Sequence, residues 1–382
     1  MAGIVLLQNG SILGLMDYHH IVNVHGVGMK VWSIVKGICF DERIALTGIE
    51  VRVIVDVDKL LAGAPNNFVI VDALAKCVEV VEEHKKVMCS ISGGGDSDVM
   101  LDMLVRCGAK DKTDFVFFNT GLEYQATLEH LDYLENKYGI RIVKAHPVKP
   151  IPVSNREYGV PFMSKFAAEM IYRLQRHNFQ WEDKPFDELY AKYPKCKTAL
   201  EWWCNVTYGN TTQYAIKRNP YLKEFMVQNP PTFKISSKCC TYAKKNVAAQ
   251  FAKGKGYDLS CIGIRQSEGG VRSAALHSCF SDGAGGMDYF RPIFWLRDTD
   301  KEEYCRHYDV THSRCYTEYG LVRTGCFGCP FGKRFEEELA SIEQYEPKLL
   351  KAANAIFKDS YEYTRAYLRF REEMKQAASE SR

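Results

Sequence analysis

The stretch Val87–Asp98, VMCSISGGGDSD, decides the fold that we expect for this chain of 382 residues. It starts as a short apolar run, passes through three consecutive glycines and ends in Asp96, Ser97 and Asp98. Glycines at the junction of a strand and a helix let the backbone approach a phosphate closely, and the helix start adds free N–H groups and a positive dipole end. The stretch therefore predicts a phosphate-binding loop.

Strand and helix patterns alternate on both sides of this loop. Strand–helix–strand units at this spacing predict right-handed crossovers and a parallel, Rossmann-like α/β sheet. Ligands of such sheets bind beyond the carboxyl ends of the strands, where we expect Ser92–Ser97 and Asn119–Thr120. The predicted strands are Val87–Ile91, Asp114–Phe118, Ile140–Lys144 and Tyr257–Ile264. The predicted helices are Ala73–Lys86 with Asp72 as its N-cap, Asp98–Cys107, Glu123–Tyr138, Ser164–Gln175, Pro185–Lys192, Lys197–Lys217, Cys239–Lys253 and Glu346–Lys375.

The same patterns predict three regions. Residues 1–66 are expected to form a small strand-rich module of unknown role. Residues 67–290 are expected to form the α/β nucleotide-binding domain, with a helical insertion rich in basic and aromatic residues at about 150–235. Residues 291–382 are expected to form a helical C-terminal part that carries a Cys-x-x-Cys loop.

The composition is that of a folded globular protein, with 46% hydrophobic and 25% charged residues. No apolar run reaches the roughly 18 residues that a membrane-spanning helix needs. No basic segment precedes the short apolar stretch at the start of the sequence, as one would in a secretory signal. We therefore expect a cytoplasmic protein without a membrane partner.

Two arrangements stand out among the 14 cysteines, namely adjacent Cys239-Cys240 and the pair Cys326-x-x-Cys329. In a cytoplasmic protein, such pairs favour metal binding, catalysis or packing over disulfide bonds. The remaining cysteines are expected to be buried thiols.

The glycine loop lacks the spacing and the Lys-Ser/Thr pair of a Walker A loop, and it does not match a dinucleotide-binding fingerprint. It resembles instead the PP-loop, SGGxDS, of the ATP pyrophosphatases, which bind ATP and activate a substrate by adenylylation with loss of pyrophosphate. This resemblance implies that Asp96 assists Mg²⁺ and that the phosphates are held by Ser92, Gly93, Gly94 and Ser97.

Four further blocks, in the same order, resemble the phosphoadenylyl-sulfate (PAPS) reductase family of that superfamily, so that the resemblance covers roughly residues 85–335. The blocks are Phe117–Tyr124, Lys238-Cys239-Cys240 followed by Lys244-Lys245, Gly263–Glu268 followed by Arg272, and Arg323–Phe331. The resemblance implies catalytic roles for Asp96 and Ser97. It implies nucleotide contacts by Ser92, Gly93, Gly94, Gly95, Asn119, Thr120, Gly121, Arg265 and Arg272.

Two departures from the family bear on the reaction. Asn119 stands where the family has an aspartate, whereas Asp96 is kept at a position that the sulfonucleotide reductases have lost. The retained Asp96 favours ATP over an adenylyl sulfate as the nucleotide. No cysteine follows Cys329, so the chain lacks the nucleophile that reductases of this family carry in their C-terminal tail.

Cys239, Cys240, Cys326 and Cys329 match the four ligands of the 4Fe-4S cluster in the adenylyl-sulfate reductase branch. Four thiolates suit such a cluster. Zinc is the alternative, because four thiolates also suit a structural tetrahedral site. Unligated thiols are the third possibility. Four other cysteines are possible sulfur carriers, although a structural role is favoured for each: Cys261, Cys279, Cys305 and Cys315.

Residues 191–256 carry 12 Lys or Arg residues and two Glu residues, whereas the whole chain has a net charge of +3. Basic side chains bind a nucleic-acid backbone, and the aromatic residues of this segment could stack on exposed bases of tRNA or DNA. The other interpretation is a core of aromatic side chains under a solvated face of lysines. The sequence leaves both open.

The leading hypothesis is an enzyme that binds ATP and Mg²⁺, activates an oxygen by adenylylation and replaces it with sulfur, most plausibly in a nucleic acid. A 4Fe-4S cluster and a sulfur-donor or electron-donor protein would assist. The alternatives are a PAPS or adenylyl-sulfate reductase that produces sulfite, and a non-catalytic nucleotide or nucleic-acid binding module. The oligomeric state is not predicted.

Overall fold

A computed structural model describes residues 2–6, 12–17, 21–26, 29–34, 50–206, 214–269, 275–283, 285–332 and 334–380, with side chains from residue 55 onward. The chain divides into two compact units. The nucleotide-loop unit comprises Met1–Phe117, Leu131–Val143 and Gly254–Ser313. The cysteine unit comprises Phe118–His130, Lys144–Lys253 and Arg314–Arg382. The domain boundaries expected from the sequence stay a prediction.

The described strands form three sheets, of which the largest has six strands in the order β10-β11-β9-β6-β7-β8. The N-terminal strands pair as β1-β2 and as β4-β3-β5, in agreement with a strand-rich N-terminal region. The strands are β1 Ala2–Leu6, β2 Ile12–Asp17, β3 Ile21–Gly26, β4 Met29–Ile34, β5 Glu50–Ile54, β6 Val87–Ile91, β7 Thr113–Phe118, β8 Ile142–Ala145, β9 Leu259–Ile262, β10 Phe280–Ser281 and β11 Asp288–Phe290.

The described helices belong to both units. They are α1 Val57–Ala62, α2 Phe68–Glu83, α3 Gly95–Arg106, α4 Gln125–Tyr138, α5 Ile151–Tyr158, α6 Lys165–Gln175, α7 Phe186–Lys192, α8 Lys197–Trp203, α9 Leu222–Gln228, α10 Lys238–Cys240, α11 Asn246–Ala252, α12 Asp298–Tyr308, α13 Arg314–Thr317, α14 Phe335–Tyr345 and α15 Pro347–Glu380. A π-helical stretch, Thr241–Lys245, joins α10 to α11.

Strand β6 lies in the middle of the large sheet and pairs in parallel with β7 and β9. Four of its five residues are buried, as expected for a central strand that is covered on both faces. The antiparallel pair β10-β11 closes one edge. The predicted α/β fold with a mostly parallel sheet and a helical C-terminal part is confirmed.

The start of helix α2 differs from the prediction. The helix begins at Phe68, and Asn67 caps it by accepting hydrogen bonds from the backbone N–H groups of Val69 and Ile70. The predicted cap Asp72 lies inside the helix. Asn67 is as good a cap as aspartate, and the apolar run behind it continues the buried face of the helix toward the N-terminus.

Two other helix predictions were wrong at their ends. Helix α3 begins at Gly95, three residues before the predicted start, because Gly94 provides the extended residue that precedes the first turn. The predicted helix Lys197–Lys217 ends at Trp203, where Cys204 and Asn205 leave the helical path and Asn205 takes a positive φ of 57°. The spacing of the aromatic residues did not predict that the helix ends at Trp203.

The cysteine unit has two apolar cores. One is formed by the insertion helices α6 to α9 and includes Trp203 and Phe225, both almost fully buried. The other surrounds the Cys326–Cys329 loop and includes Phe327 and Tyr361. Among the described residues, no helix combines the length and the apolar character needed to cross a membrane.

Gly159 in the cysteine unit offers a test of backbone geometry. It has a φ of 110° and a ψ of 163°, and a Cβ atom there would lie 2.3 Å from the carbonyl group of Lys234. We expect Gly159→Ala to lower the free energy of unfolding by about 3 kcal/mol or more, because a region reserved for glycine and a backbone clash both oppose alanine. Denaturant unfolding followed by tryptophan fluorescence measures the loss.

Gly320→Ala is the matched control in the same unit. Gly320 has a φ of 68° with nothing within 4 Å of the added Cβ, so only the left-handed backbone disfavours alanine. That cost is about 1–2 kcal/mol. Equal losses for the two variants would contradict the close approach at Gly159.

Candidate nucleotide and cysteine sites

The glycine loop joins β6 to α3 in the nucleotide-loop unit, and the hydroxyl of Ser97 holds it together. The Ser97 Oγ accepts hydrogen bonds from the backbone N–H groups of Ser92 and Gly94, both at 3.2 Å, and donates to the Gly94 carbonyl at 2.8 Å. Gly93 has a φ of 66°, which glycine adopts without strain. The loop therefore presents its backbone at the start of a 12-residue helix.

Neighbouring groups approach two glycines closely. A Cβ atom on Gly95 would lie 3.3 Å from the His312 ring and 3.3 Å from the Lys301 ammonium. A Cβ atom on Gly263, after strand β9, would lie 3.1 Å from the Asp96 carbonyl oxygen. The third glycine of the loop thus makes room for an imidazole and a cation beside the helix start.

Asp96 is held by two cations. Its Oδ1 lies 2.9 Å from Lys301 Nζ and 3.0 Å from Arg265 Nε, and only 15% of its side chain is exposed. Burial alone would raise the pKa of this carboxyl, but a hydrogen bond with Glu268 and the charges of Lys301 and Arg265 lower it. Asp96 is therefore a buried carboxylate that stays ionised.

Arg265 was predicted to contact nucleotide, and in the structure its side chain is already engaged by protein groups. The Nη1 atom donates to Ser267 Oγ at 2.9 Å and to Asp298 Oδ1 at 2.8 Å, in addition to the ion pair with Asp96. Arg265 is 6% exposed, so it acts on this site from a fixed position. Arg272 lies outside the described residues. Sequence reasoning missed Lys301, which belongs to no recognisable motif.

A second polar group lies at the same helix start. His312 Nδ1 lies 2.8 Å from Asp98 Oδ2, and His312 Nε2 lies 3.5 Å from the Cys305 sulfur. Burial lowers the pKa of this imidazole, but the hydrogen bonds with Asp98 and Cys305 outweigh it and raise the pKa to about 9. His312 is therefore a cation at neutral pH.

The four predicted metal ligands all belong to the cysteine unit. Cys239 and Cys240 lie on α10, and Cys326 and Cys329 lie on the loop before α14. Their charges act on one another: the pKa of Cys239 is raised by a hydrogen bond with Cys240, by burial and by the charges of the other three thiols. The structure thus brings the four thiols into one neighbourhood.

Lysines surround this neighbourhood. The pKa of Cys240 falls to about 6, because its hydrogen bond with Cys239 and the charges of Lys165, Lys244 and Lys245 outweigh its burial. Lys244 is half-buried, which lowers its pKa, but the charges of Cys326, Glu123 and Cys240 outweigh this and raise it. Of the four thiols, Cys240 is the one whose pKa is lowered, whereas burial raises the pKa values of Cys326 and Cys329.

The segment Asn119–Glu123, which was expected at the nucleotide, makes contacts within the cysteine unit. The Thr120 hydroxyl donates to Glu123 Oε1 at 2.7 Å and lies 3.4 Å from the Cys326 sulfur. Asn119 Oδ1 accepts from the Gly121 N–H at 2.9 Å. These contacts order a turn beside the cysteine loop, and the predicted nucleotide contacts of Asn119, Thr120 and Gly121 stay predictions.

In the part of the chain that the structure describes, no three His, Cys, Asp or Glu side chains are arranged to hold a metal ion. The donor set itself, four cysteine thiols, has the ligand type that iron–sulfur clusters use. The chemistry of the residues therefore fits a cluster.

Several aromatic side chains of residues 191–256 belong to the apolar core. Trp202, Trp203 and Phe225 are almost fully buried, and the Trp203 indole donates to the Glu182 carbonyl at 3.0 Å. Tyr214 remains 42% exposed. Several basic residues of the segment stay on the surface of the cysteine unit, namely Lys195, Lys197, Lys217, Arg218, Lys234 and Lys253.

The part of the chain around the glycine loop is similar to a known protein family. The family model described as the phosphoadenosine phosphosulfate reductase domain matches residues 86–163. An uncharacterized protein of Methanocaldococcus jannaschii is 29% identical over 153 residues, which is 40% of this chain and 30% of that protein. The chain thus spans under a third of the length of the curated relative that it matches.

Two solved structures are similar at low identity. A phosphoadenylyl-sulfate reductase of Candida auris, in a phosphate complex, has a TM-score of 0.37 at 12% identity over 71% of this chain and 94% of that chain. A U34-tRNA thiolase of Methanococcus maripaludis with its [4Fe-4S] cluster has a TM-score of 0.27 at 13% identity over 78% of this chain and 79% of that chain. The family model thus shows similarity to that reductase domain at residues 86–163, which contain the glycine loop.

Proposed function

We propose that this protein is an adenylating sulfurtransferase, which binds ATP at the glycine loop and replaces an activated oxygen of a nucleic acid by sulfur. The observation that carries the proposal is Asp96, a buried and ionised carboxylate at the start of α3 that is held by Arg265 and Lys301. A carboxylate beside a phosphate loop suits a nucleotide that arrives with Mg²⁺, which prefers oxygen ligands. An adenylyl sulfate needs no such group.

The loop and its cations would share the work of phosphate chemistry. Backbone N–H groups at the start of α3 would hold the phosphates, and Mg²⁺ on Asp96 would free Lys301 to face the pyrophosphate, while Arg265 would add its charge from the position fixed by Ser267 and Asp298. The acceptor oxygen attacks the α-phosphorus, the bond to pyrophosphate breaks, and the adenylylated oxygen leaves later as AMP when sulfur attacks the carbon. Positioning and charge stabilisation would supply most of the rate enhancement.

The cysteine unit would contribute the sulfur chemistry. Cys239, Cys240, Cys326 and Cys329 would hold a 4Fe-4S cluster, and the nearby Lys165 and Lys244 would balance its negative charge. A bound cluster would supply a site for sulfur or for electrons. Thr120, in contact with Cys326, would hold the cysteine loop in place.

The exposed basic residues of the cysteine unit support a nucleic-acid acceptor. Lys217 and Arg218 are exposed and close in sequence to Tyr214, whose ring is partly exposed and packs against Phe166 at a centroid distance of 5.3 Å. Cations bind phosphates and an exposed ring can stack on an unpaired base. Because Tyr193, Trp202, Trp203 and Phe225 are buried, we expect backbone contacts to dominate.

Replacing Asp96 tests the proposed use of ATP. We expect Asp96→Asn to reduce ATP-dependent pyrophosphate release at least about a hundredfold, because the site loses the carboxylate for Mg²⁺. Asp298→Asn is the matched control, since it also removes an ion pair with Arg265 but leaves Asp96 in place. Release of pyrophosphate is measured with each variant at saturating Mg²⁺.

The proposal would be overturned if both variants released pyrophosphate at the rate of the parent chain. It would also fail if the parent chain, purified without oxygen, released none and instead reduced an adenylyl sulfate to sulfite.

Metal content tests the cysteine site. We expect anaerobically reconstituted protein to contain about four irons and four sulfides per chain, since a 4Fe-4S cluster is bound by four thiolates. Cys329→Ser should lose most of this iron, whereas Cys204→Ser, a partly exposed thiol of the same unit, should keep it. Zinc at one ion per chain with no sulfide would contradict the cluster.

A further inference from the structure

Cys305 differs from the other cysteines that the sequence offered as sulfur carriers. Cys261 and Cys315 are fully buried, and the Cys315 sulfur lies 3.5 Å from the Thr127 hydroxyl. Cys279 is partly exposed. Cys305 is also partly exposed, and its sulfur lies 3.5 Å from an imidazole nitrogen of His312. Of these four thiols, Cys305 is the one for which the described structure records a histidine contact.

Three side chains form an ordered relay. The fully buried carboxylate of Asp98 lies 2.8 Å from His312 Nδ1 and so orients the ring, which directs Nε2 toward the Cys305 sulfur. A thiol beside a histidine that a third group orients is the arrangement of an activated nucleophile. A protonated imidazole stabilises the thiolate, which is the reactive form of cysteine.

The relay lies at the glycine loop, within the nucleotide-loop unit. Lys301 and Cys305 are four residues apart on α12, so they share one face of that helix. Lys301 binds Asp96, and both Lys301 Nζ and the His312 ring lie 3.3 Å from a Cβ position on Gly95. Cys305 therefore lies one helical turn from Lys301, which forms an ion pair with Asp96 of the glycine loop.

We propose that Cys305, activated by His312 and Asp98, is a nucleophile that accepts sulfane sulfur from a low-molecular-weight or protein persulfide. The Cys305 thiolate attacks the terminal sulfur of the donor persulfide. A new sulfur–sulfur bond forms on Cys305, the sulfur–sulfur bond of the donor breaks, and its electron pair leaves on the donor thiolate. The products are Cys305 persulfide and the donor thiol after it takes a proton, with no net oxidation or reduction.

This inference rests on the proposed sulfur transfer and adds the residue that first receives the sulfur. Loading of Cys305 needs neither ATP nor an acceptor, so it is measured separately from pyrophosphate release. A failure of Cys305 to load would leave the role of Asp96 in adenylylation intact, and a failure of adenylylation would leave the loading of Cys305 intact.

Mass spectrometry after reaction with glutathione persulfide tests the proposal. The full chain is purified without oxygen, treated briefly with the persulfide, alkylated and digested. We expect one added sulfur atom on the peptide that contains Cys305, its loss in Cys305→Ser, and its retention in Cys279→Ser. Circular dichroism and thermal unfolding show whether each variant is folded. On the unaltered chain, limited alkylation should modify Cys305 before Cys279, a measurement that needs no variant.

The pH dependence of the loading rate shows whether His312 activates Cys305 or only packs against it. His312 faces Asp98 from α3 and Cys305 from α12, with the Lys301 ammonium beside it. Because the pKa of His312 is raised to about 9, the imidazolium is present below that pH and is lost above it. We expect His312→Gln to slow loading about tenfold at pH 7. The ratio of parent to variant rates should fall toward one as the pH rises through about 9.

Three outcomes would overturn the proposal. In the first, Cys305 gains no sulfur while another cysteine does. In the second, His312→Gln loads at the parent rate at pH 7, which would make the histidine contact a packing feature. In the third, Cys305 gains a sulfonate group from an adenylyl sulfate with release of AMP, which would also replace the proposed function by that of a sulfonucleotide reductase.

Discussion

The ion pairs of Asp96 are the constraint on which the nucleotide-loop unit depends. A carboxylate that is mostly buried stays ionised when hydrogen bonds and cations compensate its lost hydration. Lys301 from α12 and Arg265 from the segment after β9 supply that compensation, so one oxygen atom ties three parts of the chain together. Removing either cation would leave Asp96 with one of its two ion pairs. The position of α12, and with it of every side chain on its loop-facing side, therefore follows from Asp96.

The sequence predicted the local part of this arrangement. Strand β6 was predicted to the residue, because its apolar run is bounded by Lys86 and by the glycine loop. The loop was predicted from the glycines together with Asp96 and Ser97. The partners could not be predicted, since Lys301 and His312 lie more than 200 residues from the loop and follow no motif. Local spacing carries no information about which distant lysine completes an ion pair.

In the cysteine unit, too, the sequence predicted the local motifs but not the contacts that surround them. Both cysteine pairs were visible as motifs, and the structure brings them into one neighbourhood with Lys244. The aromatic residues of 191–256 allowed two interpretations, a base-stacking surface or a core, and the burial of Trp203 and Phe225 favours the core. A sequence cannot separate these cases, because an aromatic ring contributes the same pattern whether its neighbours are protein or solvent. Only the three-dimensional contacts of the insertion helices decide.

The π-helical stretch Thr241–Lys245 has a consequence for how the cysteine unit could vary. A π turn holds one residue more than an α turn, and each residue of an α-helix advances the direction of the side chains by about 100°. The extra residue uncouples Cys239 and Cys240, before it, from the packing face of Asn246–Ala252, after it. Loss of one residue here would keep the helix and its hydrogen bonds, yet would turn the thiols away from Lys244. The number of residues in Thr241–Lys245, rather than their identity, thus sets the direction of the Cys239 and Cys240 thiols.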